Sequence, residues 1–501
     1  MPSLLNGKAL KPSNNPAAIF RFDNARNQAS SPLMKLFLFA LLSGILHAQP
    51  KLLIILADDM GYGDLGCTGS TTIKTPHLDA LADRGVLCTR GYVASPVCSP
   101  SRAGLLTGRD PRRFGYEGNL NQGAAKYATR PELLGLPTSE HTIADHLKAL
   151  GYQTSLIGKW HLGMGPEFHP NKRGFDDFVG MLKGSHGYFP KPDGNGLERN
   201  GEPLTEFSSP YLTDFFSDEA VRWVTENKDQ PWFLFLSYNA PHTPMHATEE
   251  DLALYTHIKD EKRRTYAAMM HAMDRGIGRV VEALKSTGQL DDTFIVFFSD
   301  NGGATNNGSW NGPLSGRKGS LLEGGVRVPF IFSWPKNLPQ GKTHKGIVSA
   351  LDLVPTFTAA AEGKPLPLKK APSHEDARNR RNYDKLFGEY DGRNLMPSLK
   401  NGTSPDRPLF WRLQGQAAVL EGEFKLVRPS HRPAQLFQPA TDPGEQSDVT
   451  GNYLQQRDAL FKKLADWEAL RPTVPLWGSS PFWNSQSAKI YDTYPPVPEP
   501  K

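Results

Sequence analysis

The sequence predicts an α/β fold: a large, mostly parallel sheet sandwiched by helices, followed by a small antiparallel sheet with one helix. Three observations predict it. Short apolar runs rich in β-branched residues alternate with segments whose apolar residues recur at helical spacing, the pattern of parallel strands covered on both faces. The unusual polar clusters sit at or just after the ends of those runs, where open α/β sheets gather ligands. After about Lys364 the composition turns rich in Pro, Lys, Arg and His, and short strand-like runs replace the longer alternation.

Taken in order, Lys51–Leu56 is an apolar strand that stops abruptly at Ala57-Asp58-Asp59. Thr75-Pro76 opens a helix through Leu78, Leu81 and Ala82, and Gly85 stops it. Pro100 suits the first turn of a helix that Gly108 terminates. Thr142–Leu150 is helical with Gly151 after it, and Thr154–Trp160 is strand-like. Ser217 begins a helix carrying Ala220, Val221 and Val224, followed by the strand Trp232–Ser237. A helix over Arg263–Ser286, strands Phe294–Phe298 and Val328–Trp334, and a helix over Asp352–Ala361 complete the large unit at 49–363. Residues 364–384 read as a linker or exposed loop. The unit 385–501 holds strands Leu409–Leu413, Ala417–Leu420 and Phe424–Val427 and an amphipathic helix Leu454–Leu470. Its proline-rich tail, with Trp477 and Trp483, wraps over the surface.

At 501 residues the chain is long enough for one large core and a smaller unit. Its formal charge of +5 is small for that length and no long basic run occurs, which argues against a nucleic-acid partner. Met34-Lys35, the apolar run Leu36–Leu46 and the small residue Ala48 before Gln49 describe a secretory signal peptide over 34–48, cleaved near Ala48. The run is too short to anchor in a bilayer, which takes about 20 apolar residues. Residues 1–33 read as an upstream extension with the true start at Met34. Export, to a periplasm or outside the cell, follows. Cys67, Cys88 and Cys98 are the only cysteines and form no disulfide framework; Cys67 and Cys88 either bridge or stay as free thiols.

The chemistry concentrates in Cys98-Ser99-Pro100-Ser101-Arg102-Ala103-Gly104-Leu105-Leu106-Thr107-Gly108-Arg109. Cys98 falls at the positive end of a helix dipole, an anion site, and Arg102 projects from the same face one turn later. This string resembles the signature of formylglycine-dependent sulfatases, C-x-P-S-R-x-x-x-L-T-G-R, at every fixed position. The resemblance extends to Asp58-Asp59-Met60-Gly61-Tyr62-Gly63-Asp64, Gly158-Lys159-Trp160-His161-Leu162-Gly163, Pro241-His242-Thr243-Pro244, Ser299-Asp300-Asn301-Gly302-Gly303 and Gly316-Arg317-Lys318-Gly319. It continues through Glu323–Pro329, and the small C-terminal unit resembles the family's second subdomain.

The resemblance implies an alkaline phosphatase-like fold and a sulfuric ester hydrolase acting on a sulfated carbohydrate, with aryl sulfates as surrogates. It implies that a maturation enzyme oxidises Cys98 to formylglycine, whose hydrate attacks sulfur and later expels sulfate. Asp58, Asp59, Asp300 and Asn301 offer hard oxygens with no zinc-type ligand among them, which selects Ca²⁺ or Mg²⁺; the family implies Ca²⁺, with the group at Cys98 also on the metal. Lys159 and His161, two apart on a strand-like segment, share a face. By resemblance Lys159 contacts the sulfate and His161 removes a proton. His242 and Lys318 sit at the leaving oxygen, and Arg102 orients the nucleophile. Competing readings are a phosphodiester or phosphonate ester hydrolase on the same fold and a non-catalytic binder of sulfated glycans. His169, His186 and His246 stay open between pocket and structural roles. Segments 110–140, 165–210 and 304–317 are expected to wall the pocket.

Overall fold

The computed structural model describes residues 49–120, 134–363, 389–404, 407–430, 432–470 and 495–500. The signal-peptide segment 34–48, the extension before it, the linker 364–384 and both tail tryptophans lie outside these residues. Among the described residues, no helix is long and apolar enough to cross a membrane.

The large sheet is built from β1 (Lys51–Ala57), β2 (Val86–Tyr92), β3 (Gln153–Lys159), β4 (Asp177–Met181), β5 (Leu197–Arg199), β6 (Glu202–Pro203), β7 (Trp232–Ser237), β8 (Thr293–Ser299), β9 (Arg327–Ser333) and β10 (Lys342–Ser349). They lie side by side in the order β10-β2-β9-β8-β1-β7-β3-β4-β5-β6. Parallel pairings join β8, β1, β7, β3 and β4 at the centre, and antiparallel neighbours are confined to β9 and to the β4-β5-β6 edge. The mostly parallel expectation therefore holds.

Both faces are covered, as the near-continuous apolar strands demand. Leu52, Ile54 and Leu56 of β1 enter one core with α2 (Cys98–Thr107), α3 (Ile143–Lys148) and α8 (Leu353–Ala360). Leu53, Ile55 and Ala57 enter the other, with α1 (Pro76–Asp83), α4 (Leu212–Glu226) and α6 (Glu261–Ser286). The short helices α5 (Glu249–Ala253), α7 (Glu323–Val326) and α9 (Met396–Asn401) sit in connections. Helix α4 begins at Leu212, five residues before Ser217. Its first turn buries Phe215 and Phe216 against the sheet, an apolar pair that extends the helical stripe backward.

The second sheet, β11 (Leu409–Leu413), β12 (Gln416–Glu421), β13 (Phe424–Arg428) and β14 (Gln435–Phe437), is antiparallel throughout. One face carries Trp411, Leu420 and Val427 into the first core. The other packs Val419, Leu426 and Leu436 against Leu460, Leu464 and Trp467 of α10 (Leu454–Ala469). A fully buried ionic cluster also joins the sheets. Lys425 Nζ of β13 lies 2.8 Å from Glu323 Oε1 and 3.0 Å from Glu445 Oε1. Tyr92 donates to Glu323 Oε2 at 2.8 Å, and Arg327 lies 3.3 Å from that oxygen. Glu323 opens α7, whose Gly324 and Gly325 pack against the loop bearing Asn301: Gly302 donates to Gly325 O at 3.1 Å.

Candidate active site

Three strand ends and one helix start meet at one point. β1 ends into Asp58 and Asp59, β8 into Asp300 and Asn301, and β7 into the loop bearing His242. The ends are laced by backbone bonds: Asp58 donates to Ala240 O at 2.9 Å and Asp300 to Ala57 O at 3.0 Å. Asp59 adopts a left-handed backbone (φ 66°), a conformation Asp tolerates better than most residues, and this turns its carboxylate inward. Its N–H is received by Asp300 Oδ1 at 3.2 Å.

Helix α2 starts at Cys98, preceded by extended Val97, and Gly108 closes it in the left-handed conformation at φ 66°. Cys98 Sγ lies 3.5 Å from Asp58 Oδ1 and 3.6 Å from Asp59 Oδ1. One turn later Arg102 donates through Nε to Asp300 Oδ2 at 2.9 Å, and through a terminal nitrogen to Ser237 Oγ at 2.7 Å and Lys159 O at 3.1 Å. Lys159 Nζ reaches Asp58 Oδ2 at 2.6 Å. Lys318 Nζ spans both Asp59 oxygens at 2.6 and 2.7 Å and comes within 3.0 Å of Cys98 Sγ. All ten predicted site residues are thus placed around these strand ends, and all but half-buried His242 are buried.

A glycine seam permits this closeness. Gly158, at φ 111°, sits so tightly that a β-carbon there would lie 1.9 Å from Ser237 O. Its register partner Gly180 is equally close to Gly158 O. β3 therefore ends at Lys159, and His161 (φ 60°) leaves the strand line. Shared strand parity does not unite Lys159 and His161; the left-handed turn does the placing. His161 Nε2 faces Leu120 O at 2.7 Å, and a carbonyl accepts, so Nε2 carries the proton. Nδ1 is then a bare acceptor, buried and without a partner among the described residues. The same logic at His242 puts the proton on Nδ1, 2.5 Å from Thr243 O, and leaves Nε2 3.5 Å from Asp59 Oδ2.

Electrostatics divide the acids. Burial alone would push Asp58 up, but the permanent cations Lys159, Arg102 and Lys318 outweigh it and hold the carboxyl far below its ordinary range. Asp59 is likewise lowered, with Lys318 the chief cation against burial. Asp300 is instead pushed up to about 7, by burial first and then by the Asp58 charge, against Arg102. Burial also drives both imidazoles down, that of His161 with the help of Lys159, so both are neutral near pH 7. The Cys98 thiol is driven well above its usual value by burial, despite Lys159 and Lys318. A thiol so held is protonated and a poor nucleophile.

The donor set suits a hard dication. Ligand atoms of Asp58, Asp59, Cys98 and His242 lie within 4.8 Å of one another. Asn301 Oδ1, fully buried, has no hydrogen-bond partner among the described residues, while its Nδ2 donates to Asp59 Oδ1 at 2.8 Å. Carboxylate oxygens plus one unspent amide oxygen are calcium-type ligands.

Several supporting residues escaped the sequence reading. Ser237, last residue of an apolar strand, bridges Arg102 and Lys159 O. Tyr188 donates to Asn239 O at 2.6 Å and His242 O at 2.8 Å. Asn307, inside an expected pocket wall, instead donates to Asp59 O at 3.0 Å and holds the acidic loop. Ser237 and Asn307 carry only the signal of nearness to a motif, and Tyr188 carries none. Of the histidines left open, His169 pairs with Glu198 at 2.6 Å and His186 bonds Gly187 O at 2.6 Å; His246 lies against the Phe189 ring. Cys67, Cys88 and Cys98 are all free thiols, so no bridge forms.

The chain is similar to known proteins in sequence and fold. The family described as Sulfatase matches residues 50–363. N-acetylgalactosamine-6-sulfatase of Mus musculus is 33% identical over 416 residues, covering 79% of this chain and 75% of the relative. Arylsulfatase A of Homo sapiens is 30% identical over 518 residues, covering 91% and 94%. Among solved structures, Ps i-CgsB in complex with k-i-k-neocarrahexaose superposes with a TM-score of 0.76 at 38% identity, covering 88% of this chain and 97% of that one.

Proposed function

The chain belongs to the sulfatase family and is a sulfuric ester hydrolase, and from that premise we propose that it removes sulfate from a sulfated saccharide. Relatives named for N-acetylgalactosamine 6-sulfate, and a structural neighbour solved with neocarrahexaose, support the saccharide reading. The observation that carries it is the buried cluster at Cys98, where three fixed cations face three carboxylates around a donor set that suits a dication.

Formylglycine made from Cys98 would supply a hydrated aldehyde as nucleophile, and Asp58, Asp59, Asp300, Asn301 and the group at position 98 would hold a calcium ion, which would supply positive charge for the sulfate oxygens. The chain's own residues do the rest. Arg102, tied to Asp300 and Ser237, fixes the first turn of α2 and hence position 98. Lys159 and Lys318 bring ammonium groups to the sulfate and to the leaving oxygen, where negative charge grows as the ester bond breaks. His161 presents an unprotonated Nδ1, suited to take a proton from the nucleophile's remaining hydroxyl. His242, with Nδ1 on Thr243 O, exchanges a proton through Nε2 at the leaving oxygen. Export in a signal-peptide-bearing precursor would bring the enzyme to extracellular or periplasmic polysaccharide.

The test is to screen matured protein on saccharides sulfated at defined positions, beside aryl sulfate and aryl phosphodiester, while following the mass of the Cys98 peptide. Release of sulfate only from samples carrying the aldehyde mass, abolished by a calcium chelator and restored by calcium, is expected. Faster phosphodiester cleavage, or full activity with an unmodified thiol, contradicts the reading.

A further inference from the structure

Asn239 is 2% exposed, yet neither its Oδ1 nor its Nδ2 meets a hydrogen-bond partner among the described residues. Buried amides are ordinarily paired, and leaving both ends unmade is costly. Its backbone is fixed from two sides: its carbonyl accepts from Tyr188 Oη at 2.6 Å and from His242 N at 2.9 Å. Leu56 pairs with Ser237, and Tyr238 donates to Leu56 O at 3.0 Å, so the extended register runs one residue past β7. Ser237 points to Arg102, and Tyr238 points to the opposite face, where its hydroxyl meets Ser217 at 2.8 Å. Asn239 comes next, three residues before His242, and the residue after it, Ala240, accepts from Asp58 N at 2.9 Å, so Asn239 is held between the loops that bear Asp58 and His242.

Resting on the sulfatase reading, we propose that Asn239 is a further substrate-binding residue, whose Nδ2 donates to a sulfuryl oxygen of the bound ester. The chemistry fits: sulfate oxygens only accept, and Nδ2 only donates. Lysines and a metal ion grip an anion through charge, whereas an amide on a rigid strand end fixes its rotation. The carbonyl end faces the saccharide, whose hydroxyls are donors.

The test is Asn239→Leu, close in shape and devoid of hydrogen bonds, with Asn239→Ala as the second variant, both in matured, calcium-loaded protein. Three readouts are thermal unfolding, kcat/KM on an aryl sulfate, and competitive inhibition by inorganic sulfate. Removing an unpaired amide should leave the melting temperature unchanged or raised. kcat/KM should fall roughly 10- to 100-fold, and sulfate should inhibit roughly tenfold more weakly. Unchanged kinetics and inhibition in either folded variant overturn the proposal. So does a lowered melting temperature with unchanged sulfate inhibition, which marks a structural amide. Should the wild-type protein hydrolyse no sulfate ester at all, the underlying reading fails instead.

Discussion

Two clusters of buried charge lie along the same chain and behave differently. At the join of the two sheets, Glu323 and Glu445 face Lys425 and Arg327, with Tyr92 closing the remaining oxygen. At the strand ends, Asp58, Asp59 and Asp300 face Arg102, Lys159 and Lys318. Both balance acids against bases. In the first, the one acid oxygen without a hydrogen bond, Glu445 Oε1, is answered by the Lys425 ammonium at 3.0 Å; the second keeps Asn301 Oδ1 and His161 Nδ1, which meet neither a hydrogen bond nor a counter-charge among the described residues. Charge buried for cohesion is matched inside the chain, whereas charge buried for chemistry leaves capacity for something that arrives. Burial alone does not separate the two; unspent hydrogen-bonding capacity does.

The largest effect expected to sharpen this contrast is on turnover. Lys318→Met should lower kcat on an aryl sulfate by about 10²–10³-fold, the usual loss when a group stabilising developing charge is removed. Calcium-loaded stability should change little, since the dication can answer Asp59. A large loss of stability with near-normal kcat would erase the distinction. Next comes Lys425→Met, which removes the ammonium that two buried carboxylates share and should destabilise by about 3–5 kcal/mol in urea unfolding. Activity per folded molecule should stay within a few-fold. A kcat collapse in a stable Lys425→Met protein would show that the sheet join belongs to the chemistry.

The smallest effect is a pH slope. The Glu445 carboxyl is pushed up to about 7, by burial and by the Glu323 charge against Lys425. A carboxyl whose folded value is raised binds its proton more tightly in the folded state. Its contribution to stability is full below about 4.5 and is lost as pH rises through 7. Stability should therefore decline across that window by at most about 1.4 kcal/mol per pH unit from this group. Glu445→Gln should flatten the decline, and an unaltered slope would remove Glu445 from the account.

Much of this was legible in the sequence because motif and strand end coincide. The carboxylates of Asp58 and Asp300 follow directly on apolar runs, so the large sheet and the acidic half of the site could be placed together. The polar edge strand β10, with Lys342, His344 and Lys345 among its residues, offered no such run and was missed. β2 was hidden in the same way by Thr89 and Arg90. His161 was assigned by strand parity, which cannot foresee a left-handed residue; the glycines around it carried the only hint. Residues that act through hydrogen bonds to backbone from outside any motif, such as Tyr188 and Asn307, leave no pattern to read, because one polar residue in a loop is the commonest thing a sequence contains.

The seam at Gly158 and Gly180 divides the molecule by how freely it can vary. Any side chain at Gly158 collides with a neighbouring strand's carbonyl in a conformation that other residues resist, so substitution there disrupts the strand junction itself. Farther out, at Gly196 and Gly201, an added β-carbon would meet nothing within 4 Å. Change in such outer connections can alter what the site admits while the strand junction beneath stays intact.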